Sequence, residues 1–154
     1  MIQRIQSIYL FLAAGLMATL NCLPLVKFAT NEQENILFKT FGIEYSADNI
    51  TEIVTTYPIA VIAILSATLS FIAIFMFKNR IKQMNIALIA LFLSLMFYAV
   101  FLMYWWYSKD ALSFTETSIS YGLPIPAVSV ILNFLAARAI KADERLVRSA
   151  DRIR

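Results

Sequence analysis

The chain has 154 residues, of which 60% are hydrophobic and only 15% charged, against about 25% charged in ordinary soluble domains. A soluble domain this short buries too small a fraction of its surface to hide so much apolar area, so the composition excludes an ordinary water-soluble fold and points to a bilayer. The absence of histidine and the single cysteine, Cys22, exclude an intrachain disulfide, Cys/His zinc sites and imidazole catalysis; the net charge of +3 is modest, and its distribution says more than its size.

A helix needs about 20 apolar residues to cross about 30 Å of hydrocarbon, and four stretches meet that test. The first covers residues 5–25, with Ala14, Ala18 and Asn21 expected on one face. It reads as a retained span and not as a cleaved signal, because the apolar run exceeds a usual signal core and Asn21-Cys22-Leu23-Pro24 makes a poor cleavage site. Residues 26–56 form a loop that is long for a connector. Within it Phe41, Ile43 and Tyr45 alternate with Gly42 and Glu44, as in a half-buried strand, and Ile36-Leu37-Phe38 is suited to pair with them. A small β-hairpin over the outer end of the helices is therefore expected.

The second span covers 57–77, with Pro58 tolerated in its first turn and Ala60, Ala63, Ala67 and Ser70 at helical spacing. A short link carries Lys78, Arg80 and Lys82. The third span, 85–107, holds Ala87, Ala90 and Ser94 and ends on Tyr104, Trp105, Trp106 and Tyr107, an anchor at the membrane–water interface. After a second outer loop, 108–120, the fourth span covers 121–140, with Pro124 and Pro126 near its start and Ser129, Asn133, Ala136 and Ala137 on one face. Arg138 lies close enough to its end to snorkel. The tail 141–154 should continue the helix, with Leu146, Val147, Ala150 and Ile153 along one side and Glu144 four residues before Arg148.

Helices in lipid associate through close packing and interhelical hydrogen bonds, which small and polar residues provide. The small-residue faces thus predict an all-α bundle of four transmembrane helices, forming one membrane domain over 1–154. Ten Lys and Arg residues lie on the side of the amino end, the short link and the tail, and three lie in the two long loops. Positive residues stay in the cytoplasm, so both termini are expected inside, with the Glu- and Asp-bearing loops outside.

The chemistry expected of an intramembrane enzyme or ion-coupled carrier is missing. No Asp or Glu falls within a span, and there is no Gly-rich phosphate loop, HExxH, CxxC or pair of intramembrane aspartates. No catalytic residue, cofactor or metal is expected, and the chain reads as a non-enzyme. An interfacial lipid-acting enzyme would have to draw on Glu44, Asp48, Glu52, Asp110 and Glu116 in the outer loops, which read more simply as a solvated acidic face.

The opening Met1-Ile2-Gln3-Arg4-Ile5-Gln6-Ser7-Ile8-Tyr9-Leu10 and the closing Arg138-Ala139-Ile140-Lys141-Ala142-Asp143-Glu144-Arg145-Leu146-Val147-Arg148-Ser149-Ala150-Asp151-Arg152-Ile153-Arg154 resemble the two ends of domain-of-unknown-function family 4293, small membrane proteins of Bacteroidetes. The resemblance implies a bacterial inner membrane and brings no catalytic residues. It also directs attention to the tail, where Glu144, Arg145, Arg148, Asp151 and Arg152 form a mixed-charge surface suited to another protein. The expected role is a non-catalytic accessory or scaffold subunit of a larger inner-membrane assembly, with envelope-biogenesis or protein-translocation machinery as hosts. The expected partners are the lipid bilayer, other inner-membrane proteins, and an acidic cytoplasmic partner or anionic lipid at the tail. Nucleic acid is not expected, because acids dilute the tail's charge and no aromatic residue is there to stack. The alternative is a small carrier or channel, with Asn21, Tyr98, Ser129 and Asn133 along its path.

Overall fold

The computed structural model describes residues 3–29, 35–45, 52–112 and 116–151. The first helix, α1, runs Gln3–Thr19 and is followed by a 3₁₀ turn, Leu20–Cys22. It stops short of residue 25, the end expected from hydropathy. Pro24 is the reason: a proline lacks the N–H and pushes its predecessor into extended backbone, and Leu23 is extended at φ −110°, ψ 144°. The next amide, Leu25 N–H, already bonds across to the Phe38 carbonyl at 2.7 Å.

The chain then builds strands β1 Val26–Ala29, β2 Asn35–Phe38, β3 Gly42–Tyr45 and β4 Glu52–Thr55. The pairing expected of residues 36–38 with the 41–45 segment is present as β2 against β3. It is, however, the middle of a five-stranded antiparallel sheet of order β4-β3-β2-β1-β5 and not a lone hairpin. The fifth strand, β5 Glu116–Ile119, comes from the second loop and pairs with β1 in the register Val26↔Ile119. Period-two alternation sets which side chains face the helices. Val26, Phe28, Ile36, Phe38 and Ile43 are buried, while Lys27 is exposed. Phe41 sits in the turn before β3 and is exposed, so the strand begins one residue later than the alternation suggested. A register shift at Ile43/Glu44 brings Glu44 opposite Glu52.

Three more helices complete the fold: α2 Tyr57–Phe75, α3 Arg80–Leu112 and α4 Ile125–Asp151. Each packs on the next in sequence, and α4 closes on α1. The sheet sits at the end where α1 and α3 finish and α2 and α4 begin; the turn 76–79 and the far end of α4 lie at the other. All four helices are long and apolar enough to cross a membrane. At 33 residues α3 is about 50 Å long at ~1.5 Å per residue, more than a bilayer core requires. The fourth helix begins at Ile125, not at Tyr121, because Tyr121–Pro124 form turns; Pro126 then falls in its first turn, where a missing N–H costs nothing. It continues through Asp151, so the tail extends the fourth helix over the described residues.

The core divides by side-chain size. At the sheet end Met17, Leu20, Leu25, Phe28, Ile36, Phe38, Ile59, Phe97 and Phe101 fill the space between sheet and helices. Toward the other end Leu10 packs with Ala73, Ala87, Ala136 and Ala137, which let the backbones approach closely. The buried face of α1 runs through Gln6, Leu10, Ala13, Ala14 and Met17. Ala18, expected on that face, is exposed, because Met17 takes the inward position one residue earlier.

Candidate functional site

The expected packing residues on the last three helices all turn inward. Ala60, Ala63, Ala67, Ser70, Ala87, Ala90, Ser94, Ser129 and Asn133 are buried, as is Ala14 on α1. A polar side chain in a bundle interior must find a partner, and these serines and Asn133 find one another. Ser66 Oγ lies 2.9 Å from Ser94 Oγ, and both reach the Ala90 carbonyl at 3.0 Å, linking α2 to α3. Ser70 Oγ donates to Asn133 Oδ1 at 3.2 Å, linking α2 to α4 across the bundle, and Asn133 Nδ2 donates to Ser129 Oγ at 3.3 Å.

The other two residues of the supposed path lie elsewhere. The Tyr98 hydroxyl donates to the Leu123 carbonyl at 2.7 Å and accepts from Ala127 N–H at 3.0 Å. The second bond satisfies one of the orphan amides at the start of α4. Asn21 is half-buried in the 3₁₀ turn, with Nδ2 3.4 Å from the Met17 and Ala18 carbonyls of its own helix. The bond between Ser70 and Asn133 is open to a double-mutant cycle. With Ser70→Ala and Asn133→Ala a coupling of about 0.6–1.7 kcal/mol is expected in detergent unfolding, and additive effects would show that the pair does not act across the bundle.

The four aromatics at the end of α3 divide by direction. Tyr104 and Trp105 pack against the core beneath the sheet, whereas Trp106 and Tyr107 are exposed, as are Tyr57 and Tyr121 at the same end. Glu44 pairs with Lys39 at 2.6 Å; Asp48 and the side chains of Glu52, Asp110 and Glu116 lie outside the described residues. Among the described residues no three Cys, Asp or Glu side chains form a group able to hold a metal.

At the opposite end a furrow runs between α3 and α4. Its upper part, with a cavity of about 290 Å³, is lined by Arg80, Ile81, Met84, Ile140, Lys141, Glu144 and Arg145. It continues past Met84 and Lys141 into an apolar part of about 310 Å³, floored by Leu88, Phe134 and Ala137 with Arg138 at its rim. Arg80 Nη1 lies 3.3 Å from both the carboxylate and the carbonyl oxygen of Asp143, joining the start of α3 to the extension of α4. Of the tail residues singled out above, Glu144 and Arg145 line this furrow; the side chains of Arg148 and Asp151, and all of Arg152, lie outside the described residues.

No curated protein matches the chain. A family model, described as a domain of unknown function (DUF4293), matches residues 2–153, essentially from end to end. The chain belongs to the DUF4293 family. The match covers the helices, both loops and the tail of this DUF4293 protein, so the sheet and the basic end are parts of the family domain and not additions to it.

Two features of the DUF4293 fold escaped sequence reasoning. Thr56, just ahead of α2, is buried and its hydroxyl lies within 3.1 Å of the Lys39 and Thr40 carbonyls, tying the helix start to the β2–β3 turn. Gly122 presses against the Pro24 carbonyl, where no side chain fits. A threonine before Tyr-Pro and a glycine between Tyr and Leu look like ordinary turn residues in a string, and only the pairing of two distant loops gives them a partner.

Proposed function

We propose that this DUF4293 protein is a non-catalytic accessory subunit of a bacterial inner-membrane assembly, with the sheet outside, the furrow and both termini in the cytoplasm, and the sheet as the surface offered to a partner. The observation that carries this reading is the open sheet held on a stalk of four helices. Its two edges, β4 and β5, pair with no further strand among the described residues. A sheet edge presents unpaired N–H and C=O groups that can accept a strand from another chain. Beside the β5 edge, Ile119 and Tyr121 are 74% and 90% exposed.

Two independent placements support the orientation. Lys78, Arg80, Lys82, Arg138, Lys141 and Arg145 gather at the end away from the sheet, as cytoplasmic ends do. The exposed Trp106, Tyr107, Tyr57 and Tyr121 gather at the sheet end, at the level of an interfacial belt. Along α3 the 22 steps from Lys82 to Tyr104 span about 33 Å at ~1.5 Å each, close to the hydrocarbon thickness. Of the four residues expected along a carrier path, Ser129 and Asn133 lie in the bundle interior, and substrate flux through vesicles containing the pure protein would favour that reading.

One experiment tests both role and orientation. In a Cys22→Ser background, Ile119→Cys or Asn79→Cys is treated in spheroplasts with a membrane-impermeant thiol cross-linker. Ile119→Cys is expected to trap a second membrane protein that also co-purifies in mild detergent, and Asn79→Cys to react only after permeabilisation. Recovery of the chain alone, or only as copies of itself, would overturn the accessory role; external labelling at position 79 would overturn the orientation.

A further inference from the structure

We infer that the furrow between α3 and α4 is a binding site for one anionic phospholipid, with the headgroup phosphate at the cationic rim and an acyl chain along the apolar floor. The inference rests on the orientation proposed above and goes beyond the accessory role, because it assigns a ligand to a face that the sheet does not share.

Cationic and apolar side chains line one continuous groove. Arg138, Lys141 and Arg145 fall at spacings of three and four on α4, hence on one side of the helix. Lys141 and Arg145 line the upper furrow and Arg138 the lower one, and all three are exposed. Among the described residues none of these three has an ion-pair partner. The two acids nearby do not cancel them. Asp143 is held by Arg80, and Glu144, which is itself engaged, is the one carboxylate in the wall. Met84 and Lys141 line both parts of the furrow, and beyond them the lower part adds Leu88, Phe134 and Ala137 beside Arg138.

A protein partner or a soluble phosphate would use only half of that surface. An acidic peptide has no use for an apolar slot running toward the membrane centre, and inorganic phosphate has none for its floor. A phospholipid matches both halves in the right order along the membrane normal. Basic pockets between spans on the cytoplasmic side bind anionic headgroups for this reason, and the long Lys and Arg stems reach to headgroup level from helix ends. The exposed Leu88 and Phe134, 43% and 55% accessible, gain an ordered neighbour in place of mobile lipid tails.

The test uses the full chain in nanodiscs of phosphatidylcholine doped with phosphatidylglycerol, followed by native mass spectrometry after release into mild detergent. Retention of phosphatidylglycerol in preference to phosphatidylcholine is expected. Each of Arg138→Gln, Lys141→Gln and Arg145→Gln should weaken it by about fivefold, as expected for one cation near an anionic surface. Leu88→Trp, which fills the apolar half and leaves every cation in place, should abolish retention. Lys27→Gln on the sheet should leave it unchanged. Equal retention of the two lipids, or full retention in the triple glutamine variant, would overturn the site. Loss with the cation variants but not with Leu88→Trp would overturn the acyl-chain part and leave a bare phosphate contact. A chain that stays soluble without detergent would instead overturn the membrane reading itself, so the two failures are distinguishable.

Discussion

Phe38→Ala should cost about 3–5 kcal/mol, the range for removing a buried phenyl ring, and should loosen the sheet from the helices before the helices part from one another. Phe38 is fully buried on β2. Its ring meets Phe28 of the neighbouring strand edge-to-face with centroids 6.4 Å apart, and Phe101 of α3 at 5.2 Å, both at 71°. It is therefore the side chain through which the sheet grips the bundle, and such aromatic pairs contribute beyond their area. The surrounding positions cannot collapse into the gap, because the sheet above and the helix ends below are both tied by backbone hydrogen bonds. Hydrogen exchange should show the β2 and β3 amides losing protection while those of α2 and α3 keep theirs. A drop in unfolding free energy below about 1 kcal/mol, far under the usual cost of such a cavity, would mean that the sheet is not docked as described. Phe38→Leu, which keeps most of the apolar volume, should cost clearly less.

The second large effect is expected at Gly122, for the opposite reason. A β-carbon there would lie 2.5 Å from the Pro24 carbonyl oxygen and 3.3 Å from Leu25 Cδ2. The first of these is backbone and cannot swing aside. The contact is close because Gly122 N–H donates to the Pro24 carbonyl at 3.2 Å and Ser120 N–H to the Leu25 carbonyl at 3.1 Å, pinning the chain leaving α1 to the chain entering α4. Gly122→Ala should destabilise by about 1–3 kcal/mol, the usual cost of overpacking, and Gly122→Val by more, seen as a lowered unfolding midpoint in detergent. Gly15 on α1 is the control: nothing lies within 4 Å of a β-carbon built there. Gly15→Ala should be neutral or stabilise by about 0.5–1 kcal/mol, as expected for a helix interior. Equal behaviour of the two alanine variants would show that the contact between Gly122 and Pro24 does not hold the loops together.

What a reader of the string alone obtains depends on how long each signal runs. About twenty predominantly apolar residues in a row are their own evidence, so the four helices, their order and the helical tail follow from residues 5–25, 57–77, 85–107 and 121 onward to within a few positions. Small residues repeating over three turns, as in Ala60, Ala63, Ala67 and Ser70, likewise declare a buried face, because nothing larger allows two backbones so close. On α1 the choice between Ala18 and Met17 was not legible, since it depends on which way α4 and α2 approach. Strands of four residues hold at most two turns of a period-two pattern. Val26-Lys27-Phe28-Ala29 shows it faintly, and Glu116-Thr117-Ser118-Ile119 does not show it at all.

The furrow has the same status. Arg138, Lys141 and Arg145 announce a cationic stripe, but the apolar floor beneath them exists only where Met84 and Leu88 of α3 meet Phe134 and Ala137 of α4. Sequence by itself therefore determined the helices, their faces and the segregation of charge, because each is a local periodicity or a simple count along the chain. Tertiary structure alone decided the five-stranded sheet, the Gly122 contact and the α3–α4 groove, because each joins segments from 46 to 98 positions apart, and their partners become neighbours only when the four rods pack.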